Sequence, residues 1–459
     1  MFENIIGQGV VEALKNDVAM DALPPSLLFS GARMCGKGSG ALELARVLCC
    51  TAGDGAGADV ERTARWNCAC PACDAHRRLF HPDMLCIGPR PFQAELRAAA
   101  ALFLRESGDP LRKIFLQRAV QKLLMRFSPI VAEGDPKMAK LNKLLEDVQE
   151  DMDELAAWKD GEAKKLEKLL GAIVDHGRKL ELEGVSDAIP VLQIRNCSYW
   201  LRLTPGGKRK VLIIENAEKM NDSARNSLLK ILEEPPERAS IILTSSKPDA
   251  LPPTVLSRLR KYAFVKRSAE TEAAVVSRVF RDAVPGVVPD AVGAGSNESL
   301  IARYLDAFLP VPAAALSPAA AYFLASLASG ALKEAAGGGG GQELLAAIGA
   351  RSASFAKERG FGAPAADIKT LCAAVRAAAG KFETRGMYGV FLEKLCAALS
   401  QSLASGAQGA QAIAYRGALA AAVEESKQAV EVYNQNIELA LERLAFRLSG
   451  AFSKAGVCR

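Results

Sequence analysis

Three groups of residues in this sequence carry chemistry by type and spacing. The first lies in LLFSGARMCGKGS (Leu27 to Ser39), where Gly31 to Lys37 fits seven positions of G-x-x-x-x-G-K-[ST]. A glycine turn between a strand and a helix points backbone N–H groups at a phosphate, and the lysine offsets its charge. The eighth position should bring a hydroxyl to Mg²⁺, yet it is Gly38, with Ser39 one place late. The turn (Gly31, Gly36, Lys37) is expected to be phosphate-shaped but poor at placing ATP and Mg²⁺. An ordinary glycine turn is the simpler alternative, disfavoured by the strand before it and the helix after it.

The second group is Cys50, Cys68, Cys70 and Cys73, with Cys49 as an alternate first member. Five of the eleven cysteines fall between Cys49 and Cys73. Four thiolates from one short excursion suit tetrahedral Zn²⁺, and a closed set of four leaves no open position for catalysis, so the expected role is structural. The C-x-C-x₂-C spacing is tighter than a repeated C-x₂-C, so one ligand could be displaced or missing. His81, in His81-Pro82-Asp83, either competes as a ligand or marks where the excursion rejoins a strand at Met84 to Ile87. Free cysteines in a loop are the alternative.

The third group sits at strand tips. Val211 to Ile214 is a β-branched apolar run that reads as a buried parallel strand, with Glu215 and Asn216 at its carboxyl end, where such sheets present groups to a ligand. Ile241 to Leu243 repeats the pattern and ends in Thr244, Ser245 and Ser246. Beyond it, LPPTVLSR ends in Arg258, which on a short helix past the sheet could reach a neighbouring subunit's phosphate. Position alone would favour a surface salt bridge.

The elements that must position these groups follow from the rest of the chain. Its 459 residues allow several domains, and 49% hydrophobic with only 6% aromatic residues favours helix over β-sandwich. A net charge of +6 permits an acidic partner without demanding one. Val10, Leu14 and Val18 predict an amphipathic helix ahead of the strand Ser26 to Ser30. Pro91 to Asp187 changes character, with helical spacing at Leu141, Leu144, Leu145, Val148 and Met152 and at Leu166, Leu169, Leu170 and Ile173. It predicts two or three long helices as a projecting hairpin with a solvated charged face. Ile189 to Trp200 predicts a helix, and so does the stretch after Asn221-Asp222, closed by Pro235-Pro236. Residues 268–305 read as a small helical domain, followed by Ala-rich helices around a Gly337 to Gly341 linker. A last helix would carry Val430, Tyr433, Ile437, Leu441, Leu444 and Leu448 on one face, which reads as a helix–helix packing surface rather than a cofactor box and could pack against other subunits. Val311 to Leu332 is apolar but cut by Pro312, Pro318 and Gly330, so a packed helix is expected rather than a membrane span. MFENIIGQGV lacks the features of a signal peptide, and the expected location is cytoplasmic.

In this order, FENIIGQ, LLFSGARMCGKGS, the cysteine group, HPD, KRKVLIIENAEKMNDSARNSLLKILEEPP and LPPTVLSRLR resemble the bacterial DNA polymerase III clamp-loader subunits of the AAA+ class. The resemblance covers roughly residues 2–90 and 188–305. It implies a fold that is α/β plus all-α: an AAA+ P-loop domain with a parallel sheet over 1–267, carrying a zinc excursion (49–83) and a helical insertion (91–187). A small helical lid (268–309) and a C-terminal helical collar (310–459) would follow. The insertion has no counterpart in the pattern, and the collar carries no motif. ATP-hydrolysing γ/τ members have Ser or Thr after the P-loop lysine and Asp-Glu at the strand tip. Here Gly38, Glu215 and Asn216 stand instead; Glu215 could still hold a metal or a water, and Asn216 cannot act as a carboxylate. Leu259 replaces the final Cys of the family's Ser-Arg-Cys, while Ser257 and Arg258 are kept. No phosphate-sensing arginine stands near Gly295-Ser296-Asn297-Glu298.

These losses fall on the site in cis and spare the arginine offered in trans. That resembles the family's δ′ branch, which lends an arginine finger to its neighbour. The implied partners are γ/τ and δ subunits, the sliding clamp and primer-template DNA, with no membrane. Two alternatives stand beside it: an active γ/τ-type ATPase working through Ser39 and Glu215, and a zinc-bearing nucleic-acid-binding adaptor on an AAA+ scaffold.

Overall fold

A computed structural model describes residues 1–52, 64–159, 161–282, 299–311, 313–334, 340–380, 385–404, 410–431 and 435–455. The chain divides into two compact units, Met1–Phe308 and Leu309–Arg459.

The first unit begins with helix α1 (Val10–Ala19), strand β1 (Ser26–Ser30), helix α2 (Lys37–Cys49) and helix α3 (Pro71–Arg78). Strand β2 (Met84–Ile87) leads into four insertion helices, α4 (Gln93–Arg105), α5 (Pro110–Leu124), α6 (Met138–Ala157) and α7 (Ala163–Gly184). Helix α8 (Val191–Arg202), β3 (Lys210–Ile214), α9 (Asp222–Glu233), β4 (Ala239–Ser245), α10 (Pro253–Leu256) and β5 (Arg260–Ala263) complete the nucleotide-type body. The strands form one parallel sheet in the order β2-β3-β4-β1-β5. Leu28 pairs with Leu243 and Ile213 with Ile242.

Both faces are covered, which is why these strands are continuous apolar runs rather than alternating ones. Side chains still alternate sides with a period of two. Leu27, Phe29, Val211 and Ile213 join Leu14 of α1 and Leu44 of α2 on one face. Leu28, Leu212, Ile214 and Leu243 join Ile194 and Trp200 of α8 and Leu228 of α9 on the other. This sandwich fixes the strand tips at one edge, where the polar residues gather.

The insertion differs from expectation. It has four helices rather than two or three, because α4 is an Ala-rich stretch without the strong stripe of α6 and α7. Nor is it merely a projecting hairpin. Its own core joins Leu96, Phe103, Leu116, Val148, Leu155 and Ile173. The other side of α4, at Ala98 and Leu102, packs with Val276, Phe280, Ile301 and Tyr304 around helices α11 (Ala269–Val275) and α12 (Leu300–Asp306). The insertion is thereby anchored to the helices that follow the sheet. The Gly295 to Glu298 segment lies outside the described residues.

The second unit is helical: α13 (Ala313–Glu334), α14 (Gly340–Lys357), α15 (Ile368–Ala378), α16 (Arg385–Ala404), α17 (Ala410–Glu431) and α18 (Ile437–Ala455). Within α13, Ala315–Lys333 is long and apolar enough to cross a membrane, but 72% of that window is buried in the unit. The linker expected at Gly337 to Gly341 falls partly outside the described residues, and Gly340 already opens α14. The single last helix is also corrected. Val430 ends on α17 and Ile437 begins α18, with Tyr433 outside the described residues. Leu441, Leu444 and Leu448 form the expected helix–helix packing surface, buried with Phe323, Phe391 and Tyr415 in this unit's own core.

Candidate functional site

The phosphate-type turn follows β1 and opens α2. Gly36 caps that helix with φ of 98°, a left-handed conformation that suits glycine. The turn is folded onto protein groups. Lys37 is 8% exposed, and its Nζ donates to the carbonyls of Gly31 and Ala32, each at 2.6 Å. Burial lowers the basicity of this ammonium. Arg267 closes the turn from outside: its Nε donates to Ile6 O at 2.8 Å and its Nη1 to Met34 O at 3.0 Å. A Cβ at Gly36 would come within 2.6 Å of the Arg267 Nη2. Ser39, the late hydroxyl, is exposed on the first turn of α2.

At the strand tips the insertion intervenes. After α5 the chain makes a short 3-10 turn, Met125–Phe127, that carries Arg126 under the sheet edge. The Arg126 guanidinium donates to Cys86 O and Gly88 O, both at 3.1 Å, and its Nη2 donates to the Glu215 carboxylate. Arg90 stands 3.7 Å from the other Glu215 oxygen. Glu95 binds both Arg90 and Lys122. Burial alone would raise the Glu215 carboxyl, but Arg126, Arg90 and Lys122 hold it below its ordinary range. The expectation that Glu215 could hold a metal or a water is therefore corrected: its oxygens already serve as counter-charge to two guanidiniums. The same carboxylate explains Gly38, since a Cβ there would meet Glu215 Oε1 at 2.6 Å. A side chain carrying the missing hydroxyl does not fit while Glu215 points this way.

Asn216 is turned elsewhere too. Its Nδ2 donates to Pro89 O at 2.7 Å, and its backbone N–H donates to Thr244 Oγ1 at 3.3 Å. The Ser245 hydroxyl accepts the Lys247 N–H at 3.1 Å and is fully buried. Gly31, Gly36, Lys37, Gly38, Glu215, Asn216 and Ser245 thus share one end of the sheet, and the side chains of Lys37, Glu215, Asn216 and Ser245 are engaged with other groups of the chain.

The cysteine excursion is built differently. Cys50 follows the end of α2, and Cys70 caps α3, accepting the Cys73 N–H at 3.4 Å. The four sulphurs of Cys50, Cys68, Cys70 and Cys73 lie within 4.8 Å of one another. Cys50 is 3.8 Å from both Cys68 and Cys70. A tetrahedron of sulphurs at the Zn–S bond length has edges of about 3.8 Å, so the set fits Zn²⁺ despite its tight C-x-C spacing. Arg46, 3% exposed, donates to Cys73 Sγ at 3.2 Å and to Ala64 O at 2.7 Å. That is the outer-shell support a charged thiolate set needs. Cys49 faces inward instead, donating to Arg209 O at 3.3 Å, with its thiol pushed up to about 12 by burial. It groups with His76 and His81, whose rings stack 4.2 Å apart. His81 accepts the Asp83 N–H on Nδ1 at 3.1 Å and stays where the chain rejoins β2, outside the four-sulphur set.

Arg258 stands apart, just beyond α10. Its Nη2 donates to Glu233 Oε1 at 2.7 Å and its Nη1 to Thr254 O at 2.7 Å. The side chain is 34% exposed and lies at the surface of its unit.

Arg90, Arg126 and Arg267 are the residues that sequence reasoning missed. Arg90 lies in a Pro-rich stretch, Arg126 in an apolar one and Arg267 beside Lys266, with no local pattern to mark them, and only the fold brings them to the strand tips and the glycine turn. The insertion also supplies Glu181, which accepts the Phe92 N–H at 3.2 Å while its second oxygen has no hydrogen-bond partner. Burial pushes this carboxyl up to about 7, from 4.5, against the pull of that N–H. The folded state thus keeps a proton that the unfolded chain releases, so stability falls as pH rises through this window. Glu181→Gln is expected to raise the melting temperature by about 2–4 °C at pH 8 and to leave it unchanged at pH 4.

Comparisons with known proteins bear on the family. Residues 6–268 match the family model described as "DNA polymerase III, delta subunit". The δ′ subunit of DNA polymerase III from Pseudomonas aeruginosa is 30% identical over 151 residues, which is 33% of this chain and 46% of that protein. The γ/τ subunit from Mycobacterium tuberculosis is 35% identical over 81 residues, 18% of this chain and 14% of that one. The τ subunit from Bacillus subtilis is 37% identical over 70 residues, 15% of this chain and 12% of that one. The chain thus spans less than half the length of each of these relatives.

Proposed function

The chain belongs to the DNA polymerase III delta-subunit family, and from that membership we propose that it is a δ′-like subunit of the clamp loader, itself non-hydrolysing. It works with γ/τ and δ subunits in the cytoplasm to place the sliding clamp on primed DNA. Its contribution to chemistry is Arg258, offered to ATP held by a neighbour. The observation that carries this reading is the occupation of the chain's own strand tips by Arg126 and Glu215. A carboxylate engaged in this way does not serve Mg²⁺, and the position that should bring a hydroxyl is Gly38. Both weigh against the γ/τ-type motor working through Ser39 and Glu215. Cys50, Cys68, Cys70 and Cys73 would hold a structural Zn²⁺, which closes the excursion and takes no part in the reaction. The modest net charge speaks against a nucleic-acid-binding adaptor as the main role.

A finger of this kind stabilises charge that builds on the transferring phosphoryl group and is worth roughly 10³-fold or more in rate. The isolated chain is expected to release no phosphate from MgATP above background. Added to γ/τ and δ subunits, it raises their turnover, and Arg258→Ala removes that rise while co-elution of the subunits is kept. Phosphate release by the lone chain at a motor's rate, or full turnover with Arg258→Ala, would refute the proposal.

A further inference from the structure

The Arg258 guanidinium makes three bonds within the chain. Nη1 donates to Thr254 O at 2.7 Å and to Ser257 Oγ at 3.3 Å, and Nη2 donates to Glu233 Oε1 at 2.7 Å. A guanidinium carries five N–H donors. Two of them, the Nε–H and the second on Nη2, meet no acceptor among the described residues. They sit on adjacent atoms of a planar fork, the spacing that grips two oxygens of one phosphate.

Glu233 is the last residue of α9. A carboxylate there faces the negative end of the helix dipole, so the helix itself gives no reason for it. Pro235 and Pro236 follow, which fixes where the helix stops and hence where this carboxylate stands. The pair is partly exposed on both sides, 34% and 48%, and such pairs contribute little to folding. What the carboxylate does supply is orientation. A long, flexible arginine loses rotamer freedom when it engages a ligand, and a partner that fixes it beforehand removes that cost from the later step.

We infer that Glu233 is a positioning residue for Arg258, holding the guanidinium by one edge so that its two free donors are available to the terminal phosphate on a neighbouring subunit. This rests on the reading of Arg258 as a finger in trans. Glu233 touches no nucleotide itself and acts only through the arginine.

The test uses the reconstituted assembly, with turnover measured at the ATP site that adjoins this chain. Glu233→Ala is expected to lower kcat there by about 3- to 10-fold with KM for ATP unchanged. Glu233→Gln keeps an acceptor oxygen and should recover most of the loss. In the Arg258→Ala background, Glu233→Ala should change nothing further, which a merely structural role would not reproduce. If Arg258→Ala lowers turnover but Glu233→Ala alone leaves it intact or raises it, the finger stands and the positioning role is overturned. An added loss from Glu233→Ala in the Arg258→Ala background overturns it as well. If Arg258→Ala itself has no effect, the proposed function and this inference both fall.

Discussion

Arg126→Ala is expected to destabilise the first unit by about 3–5 kcal/mol, the cost of leaving a buried charge without its partner. The variant leaves Glu215, which is 8% exposed, with Arg90 at 3.7 Å and the more distant Lys122 as its remaining counter-charges. It also removes the donor to Cys86 O and Gly88 O at the end of β2, an edge strand of the sheet. Denaturant unfolding at neutral pH measures the loss. The deficit should shrink as pH falls, because the stranded carboxylate then takes up a proton and burial no longer isolates a charge. A paired replacement, Arg126→Met with Glu215→Leu, removes both charges together and should recover most of the stability. A deficit under 1 kcal/mol for Arg126→Ala would mean that water reaches Glu215 and that the strand tips are open after all.

Removing metal is the second large effect. Among the described residues of the excursion, Cys50, Ala64, Cys73 and Leu79 are buried, and they share a cluster with Leu44 and Val47 of α2. Without a metal, the four thiols and buried Arg46 would have to be held by that contact alone. Structural zinc contributes on the order of 10 kcal/mol where it folds a small domain by itself. Here the sheet remains intact, so the loss is expected locally. Purified chain should carry one equivalent of zinc. A chelator should expose residues 64–79 to proteolysis and hydrogen exchange, while the strands keep their protection. Cys70→Ser should do the same without a chelator. Cys49→Ser should not, because Cys49 faces Arg209 O rather than the other sulphurs. Zinc-free protein with a fully protected excursion would contradict the four-sulphur assignment.

The two effects bear on different parts of the molecule. Loss of Arg126 acts at the strand tips, and removal of a metal from the four sulphurs would act on the excursion between α2 and β2. Neither touches Arg258, whose bonds run to Glu233, Thr254 and Ser257. On the proposed reading of Arg258, a loader rebuilt with either variant should therefore retain the arginine's effect wherever the chain still folds.

Much of this was legible in the chain itself, because it is written in short-range patterns. The apolar runs at Leu27, Val211 and Ile241 became strands since a period of two with both faces covered leaves few other conformations. The stripes of α6 and α7 were plain for the same reason. The phosphate-type turn, the missing hydroxyl at Gly38 and the amide at Asn216 are local facts. The four cysteines could be grouped by spacing, but the choice of Cys50 over Cys49 depended on which way the end of α2 faces. What only the tertiary structure decided is long-range electrostatics. Arg126 and Glu215 are 89 residues apart, and nothing near either one names the other. A buried charge must find an opposite charge wherever the fold provides it, so the closing of the nucleotide site belongs to the packing of the insertion rather than to any motif. The stripe on α18 shows a related limit: periodicity marks the face as a helix-packing surface, and only the neighbouring helices decide whether it is covered from within or left for another chain.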